Sequence, residues 1–165
     1  MRDRHSVIGV LSAAACVVAA VLATTAPAQA ATPAPERAAA QVLTMPPAPE
    51  GASAPSSVAA EPPTTWPKPN KIVHVAALGS VACESGNLCV AAWDSTKGDY
   101  AVFYLYHCES YALSNFVGTG GYRNSQTGGA TGRFYGQSGN LLTSVPVGAS
   151  SASYNWSPVW SIRNC

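Results

Sequence analysis

The sequence predicts a small all-β domain, a disulfide-stabilised Greek-key sandwich or barrel, over residues 71–165 of a 165-residue chain. Three observations predict it. Short runs rich in Val, Ile, Leu, Tyr, Phe and Trp are punctuated by Gly, Asn, Asp and Ser, the pattern of strands and tight turns. No long stretch of this region carries helical periodicity. Four cysteines (Cys83, Cys89, Cys108 and Cys165) fall within it, an even number that reads as two bridges in an oxidising compartment.

The residues before the domain read as two segments. Residues 1–30 have a basic start (Arg2, Arg4), an apolar run from Val7 to Ala23, and an Ala28-Gln29-Ala30 ending, which together form a cleavable signal peptide. Secretion to the extracellular space follows, with no membrane attachment after cleavage. Cys16 leaves with that segment. Residues 31–70 are mostly Ala, Pro, Ser and Thr, and ten of the thirteen prolines lie between Pro33 and Pro69. So little apolar surface does not offset the entropy of ordering the chain, so a disordered, partly polyproline-II leader or linker is expected. Trp66 is its one large aromatic, expected to be exposed or loosely docked.

Thirteen of the fourteen aromatics lie in residues 71–165, which marks that part as globular. Its charge is nearly balanced, with Lys71, Lys97, Arg123, Arg133 and Arg163 against Glu84, Asp94, Asp99 and Glu109. No basic stripe appears, which argues against nucleic acid as a partner.

Strands are expected at KIVHVAAL (71–78), LCVAAW (88–93) and YAVFYLYH (100–107). The last is apolar at both parities, with Tyr100, Val102, Tyr104 and Tyr106 on one face and Ala101, Phe103 and Leu105 on the other. That suits a central strand covered on both sides. ESYALSNF (109–116) reads as a short helical turn or an irregular crossing, and residues 118–129 as a mobile glycine-rich loop. Further strands are expected in ATGRFYG, LLTSVPV and PVWSIRNC, for roughly seven in all.

Ser-Gly-Asn-Leu occurs twice, at 85–88 and 138–141. Glycine tolerates positive φ and the flanking side chains bond the turn backbone, so each copy is expected to be a hairpin turn leading into a buried strand. The four cysteines admit three pairings. The C-x5-C spacing lets Cys83 and Cys89 face each other across a short turn, and Cys108 would then tie to Cys165. Zinc needs closer C-x2–4-C spacing.

Catalytic chemistry finds little support. His74 and His107 are the only histidines of the domain. His107 is expected to be structural, and His74 to face solvent or a polar neighbour. A Ser–His–Asp set could be drawn from His74 with Asp94 or Asp99, yet no strained nucleophile turn supports it. Tyr104, Tyr106, Tyr111, Tyr122, Tyr154, Trp156 and Trp160 could line a carbohydrate or protein surface, but core packing is the expectation for most, Trp160 included.

CESGNLCVAAW, after a signal peptide and an Ala/Pro leader, resembles the opening of the actinobacterial (streptomycete-type) metalloproteinase inhibitor family. These are secreted peptidase inhibitors in which a C-x-x-G-x-x-C loop runs into an apolar strand of a βγ-crystallin-like domain. GNLLTSV (139–145) in turn resembles the crystallin-type calcium loop, with Asn140, Thr143 and Ser144 at three of its four specified positions and Gly139 at the first. The resemblance covers residues 81–145. It implies a βγ-crystallin-like fold and a non-catalytic inhibitor whose partner is an extracellular protease. The implied binding loops are Glu84, Ser85, Gly86, Asn87 and Leu88, and, in the glycine-rich segment, Tyr122, Arg123 and Asn124. The chain departs from the family in lacking a second short-spaced cysteine pair. The alternative is a structural or cell-wall- or glycan-binding module, calcium-stabilised at most. Calcium at Asn140, Thr143 and Ser144 is expected to be weak or absent, because the donors are neutral. No other cofactor is expected, and the protein is expected to be a monomer.

Overall fold

The computed structural model describes residues 41–52 and 61–165, all within one compact unit, Glu36–Cys165. The signal-peptide reading lies outside the described residues, as do 31–40 and 53–60 of the leader. Among the described residues there are twelve strands: β1 Gln41–Thr44, β2 Thr64–Trp66, β3 Lys71–Val75, β4 Ser80–Cys83, β5 Leu88–Asp94, β6 Asp99–Leu105, β7 Ser110–Ser114, β8 Thr119–Asn124, β9 Gly132–Tyr135, β10 Leu141–Val145, β11 Ser150–Asn155 and β12 Ser161–Arg163. They form a central sheet of order β11-β8-β5-β6-β3, a second sheet of order β10-β9-β12-β7-β2, and a two-stranded ribbon, β1-β4. Every pairing is antiparallel.

The expectation for β6 explains the layering. Ala101, Phe103 and Leu105 point into one core with Leu88, Val90, Tyr111, Phe134, Trp156 and Ile162, which joins the central and second sheets face to face. Tyr100, Val102 and Tyr104 point into the other, with Leu43, Met45, Cys83 and Cys89, which joins the central sheet to the ribbon. A strand apolar at both parities is stable only when both faces are covered. Here the ribbon is the second cover. Tyr106 falls just beyond β6 and is exposed.

That cover corrects the leader reading. Residues 41–44 and 64–66 are strands, so the folded part begins upstream of Lys71. Leu43 and Met45 are each only 1% exposed and fill the far face of β6. Tyr100 also donates its hydroxyl to Pro47 O at 2.9 Å. Proline-rich composition averaged over forty residues hid a short window, Gln-Val-Leu-Thr, that pairs with β4. Downstream, β2 extends the second sheet beside β7 and buries Thr65.

Other segments are also more regular than expected. Residues 110–114 form β7 rather than a helical turn, with Tyr111 and Leu113 inward and Ser110, Ala112 and Ser114 outward. Residues 119–124 form β8, paired to both β5 and β11, so the glycine-rich stretch is not a mobile loop there. Its glycines serve close approach: a Cβ on Gly120 would overlap Ala91 O and Trp156 Nε1. β4 and β11 are likewise strands that the sequence reading did not name.

Both Ser-Gly-Asn-Leu copies are turns with glycine in the left-handed region, at φ 88° for Gly86 and 75° for Gly139. The second is a hairpin between β9 and β10, closed by Gly136 N to Asn140 O at 2.9 Å. The first is not a hairpin, because it joins the ribbon to the central sheet. The second does not lead into a buried strand, since Leu141 lies on the exposed edge strand. Cys83 bonds Cys89 and Cys108 bonds Cys165, the pairing expected from the short spacing. Two bridges are consistent with an extracellular setting.

Candidate functional site

The second sheet shows its outer face to solvent, and strand register decides what lies on it. Residues directly opposite in an antiparallel pair point to the same side. Trp66 is opposite Ala112, Ala112 opposite Ser161, Ser161 opposite Tyr135, and Tyr135 opposite Leu141. These five side chains therefore form one row across all five strands. Their sequence neighbours Thr65, Tyr111, Leu113, Ile162 and Phe134 fill the core side. Trp66 is 78% exposed and Leu141 54%, while Tyr135 is half-buried. Three strand spacings separate Trp66 from Tyr135, roughly 14 Å. Ala112 and Ser161 between them are small, so the row is a shallow trough with an aromatic ring near each end.

A second row lies one pleat away: Ser144 opposite Arg133, Arg133 opposite Arg163, and Arg163 opposite Ser110. Arg133 donates to Cys165 O at 3.0 Å, and Arg163 is exposed.

The expected loop residues fall elsewhere. Glu84, Ser85 and Gly86 form the accessible part of the Cys83–Cys89 turn, while Asn87 and Leu88 are buried. Asn87 Nδ2 bonds Glu84 O at 3.1 Å, and Gly86 N bonds Ser125 O at 2.8 Å, so the turn is pinned from both sides. Lys71 Nζ meets Glu84 Oε1 at 2.8 Å, and this contact is the main cause of the raised pKa of Lys71. Tyr122, Arg123 and Asn124 are in β8, not in a loop. Tyr122 packs on the core, and Asn124 is fully buried with its amide on Val145 O at 2.7 Å. Arg123 Nε reaches Gln41 Oε1 at 2.7 Å and clips the ribbon to the central sheet. The structure does bring the two expected segments together, with Leu88 opposite Asn124 and Cys89 opposite Arg123, but as paired strand ends and not as two protruding loops.

The crystallin-type trio is also spread out. Asn140 sits in the β9–β10 turn, the Thr143 hydroxyl bonds Tyr154 OH at 2.8 Å, and Ser144 lies opposite Arg133. A neighbouring guanidinium repels a cation there.

His74, Asp94 and Asp99 do come together, with donor atoms all within 4.8 Å of one another. With its proton on Nδ1, His74 donates to Asp99 Oδ1 at 2.8 Å and accepts at Nε2 from Lys97 Nζ at 2.8 Å. Asp94 Oδ1 is taken by Thr96, through its amide at 3.0 Å and its hydroxyl at 2.6 Å. The nitrogen that a nucleophile's proton would reach thus faces an ammonium. His107, expected to be structural through its side chain, is exposed, and its backbone carbonyl does the bonding instead.

Among the aromatics, Trp156 is fully buried in the core, while Trp160 is 51% exposed, against the expectation of a core Trp160. It stands just before β12, where its backbone bonds Tyr135 and Leu113. Sequence reasoning did not single out Trp66, Tyr135, Leu141, Arg133 and Arg163 as one surface. The alternation in SYALS and SIR was the available signal. No family model, curated protein or solved structure matches this chain.

Proposed function

We propose that this protein is a secreted, non-catalytic binding module that holds an extended glycan chain along the outer face of its second sheet. The observation that carries this reading is the row Trp66–Ala112–Ser161–Tyr135–Leu141. Sugar rings present C–H faces that pack on aromatic rings, and a flat trough with a ring near each end suits a linear chain of several residues. The lysine seated on His74 Nε2 supports a non-catalytic role. The test is titration calorimetry of linear oligosaccharides against the wild type and against Trp66→Ala and Tyr135→Ala. Loss of binding in both variants, with unchanged melting temperature, is the expected result. Binding untouched by either would remove the face from consideration.

A second reading is favoured by the pinned Cys83–Cys89 turn. A short, rigid, disulfide-closed segment loses little entropy on docking, as inhibitor loops require, and Glu84, Ser85 and Gly86 are its accessible residues. The Greek-key, βγ-crystallin-like connectivity and an extracellular protease as partner belong to this reading. Slowed turnover of a thermolysin-type protease, abolished by Ser85→Pro, would favour it over the glycan face.

A further inference from the structure

We propose that the partner of the outer face is an anionic polysaccharide whose charge sits on the sugar ring as a uronate carboxylate. This rests on the glycan reading above and names its ligand class. The five strands of the second sheet read TTW, SYALS, GRFY, LLTSV and SIR, and contain two arginines and no acidic residue. Those arginines, Arg133 and Arg163, are directly opposite each other on the outer face. Like charges held about 5 Å apart at Cβ destabilise a sheet unless an anion lies between them. Among the described residues neither guanidinium is paired with an acidic side chain. Arg133 gives one N–H to Cys165 O, which leaves the rest of its donors and all of Arg163. Glu109, the acid next to β7, has the inward parity of Tyr111, and Glu61 lies beyond β2 on the side away from the arginines.

The two rows then match one ligand. Tyr135 and Arg133 are two residues apart on β9 and leave the same face, so about 7 Å separates the points where their side chains start. A sugar ring stacked on Tyr135 that carries its own carboxylate reaches the arginine pair while its neighbours continue along the trough towards Trp66. Guanidinium and carboxylate meet as a charge-assisted, two-pronged pair. A phosphodiester chain of open-chain alcohols offers the charge but no ring to stack. A neutral glycan offers the ring but leaves the arginines unpaired.

The experiment measures binding of oligogalacturonate, its fully methyl-esterified form and inorganic polyphosphate, each at low and high salt, to the full folded protein. Oligogalacturonate is expected to bind with an affinity that falls as salt rises, and the esterified form at least about tenfold more weakly. Arg163→Gln should reduce oligogalacturonate binding by about tenfold, leave the weak ester binding unchanged, and keep the wild-type melting temperature. Trp66→Ala should weaken both sugars. Equal binding of acid and ester overturns the charge assignment while the glycan reading stands. Binding of polyphosphate as tight as that of oligogalacturonate, and unaffected by Trp66→Ala, overturns it as charge attraction alone. No binding of either sugar overturns this proposal and the glycan reading together.

Discussion

Trp156 donates its indole Nε1 to Ala91 O at 2.8 Å, passing over the bare backbone of Gly120. This contact ties a residue near the end of the chain to the middle of β5, through a gap that the missing side chain of Gly120 leaves. Gly120→Ala is expected to cost about 2–4 kcal/mol, because the new methyl meets backbone on one side and a buried indole on the other. Trp156→Ala should cost about 3–5 kcal/mol through the cavity it opens. Urea denaturation of each variant measures both, and a near-neutral Gly120→Ala would refute the close approach.

Leu43 makes the upstream ribbon part of the fold. Leu43→Ala is expected to lose about 2–4 kcal/mol, while Val42→Ala, exposed on the same strand, should stay within about 0.5 kcal/mol. A chain that begins at residue 71 should be markedly less stable than one that begins before Gln41, and should expose Tyr100 and Tyr104 to quencher.

The two bridges should contribute unequally. They close loops with sequence separations of 6 and 57. Chain entropy alone assigns about 2 kcal/mol to Cys83–Cys89 and about 4 kcal/mol to Cys108–Cys165. Paired Cys→Ser variants, compared by chemical denaturation, check the order. A larger loss from the short bridge would mean that native-state packing of Cys83 and Cys89, both fully buried, outweighs loop closure.

Stability should fall at alkaline pH. Burial first, and Glu109 second, push the Tyr111 phenol up to about 12, and burial also raises Tyr100, Tyr104 and Tyr122. Each phenol holds its proton more tightly folded than unfolded, where its pKa is about 10. The folded state therefore binds more protons between about pH 10 and 12, and unfolding is favoured as pH rises through that window. Below it these groups contribute no pH dependence. Melting temperature and phenolate absorbance, followed together, should change as one transition. Early ionisation of all the tyrosines in a still-folded protein would contradict this.

How far the sequence could be read depended on whether a property was local. The double parity of YAVFYLYH announced a central strand with two covers, and both covers exist. The turn glycines Gly86 and Gly139 announced positive φ, and both adopt it. Gly120 and Gly121 announced flexibility by the same rule and instead mark crowding. Glycine permits both, and only the neighbours distinguish them.

By itself the sequence determined the class of fold, the central strand and the positive φ of Gly86 and Gly139, and it favoured the observed cysteine pairing among three, because side-chain parity, glycine conformation and short cysteine spacing act over a few residues. Tertiary structure alone decided that Gln-Val-Leu-Thr, inside a proline-rich stretch, would be a strand, because its partner β4 lies 36 to 42 positions away and the tyrosines it covers lie farther still. It also decided which Trp is core and which is exposed, since Trp156 and Trp160 differ in the space their neighbours leave rather than in local pattern. The outer row belongs to the same category. Trp66, Ala112, Ser161, Tyr135 and Leu141 are strangers in sequence, and only the register of four strand pairings sets them side by side.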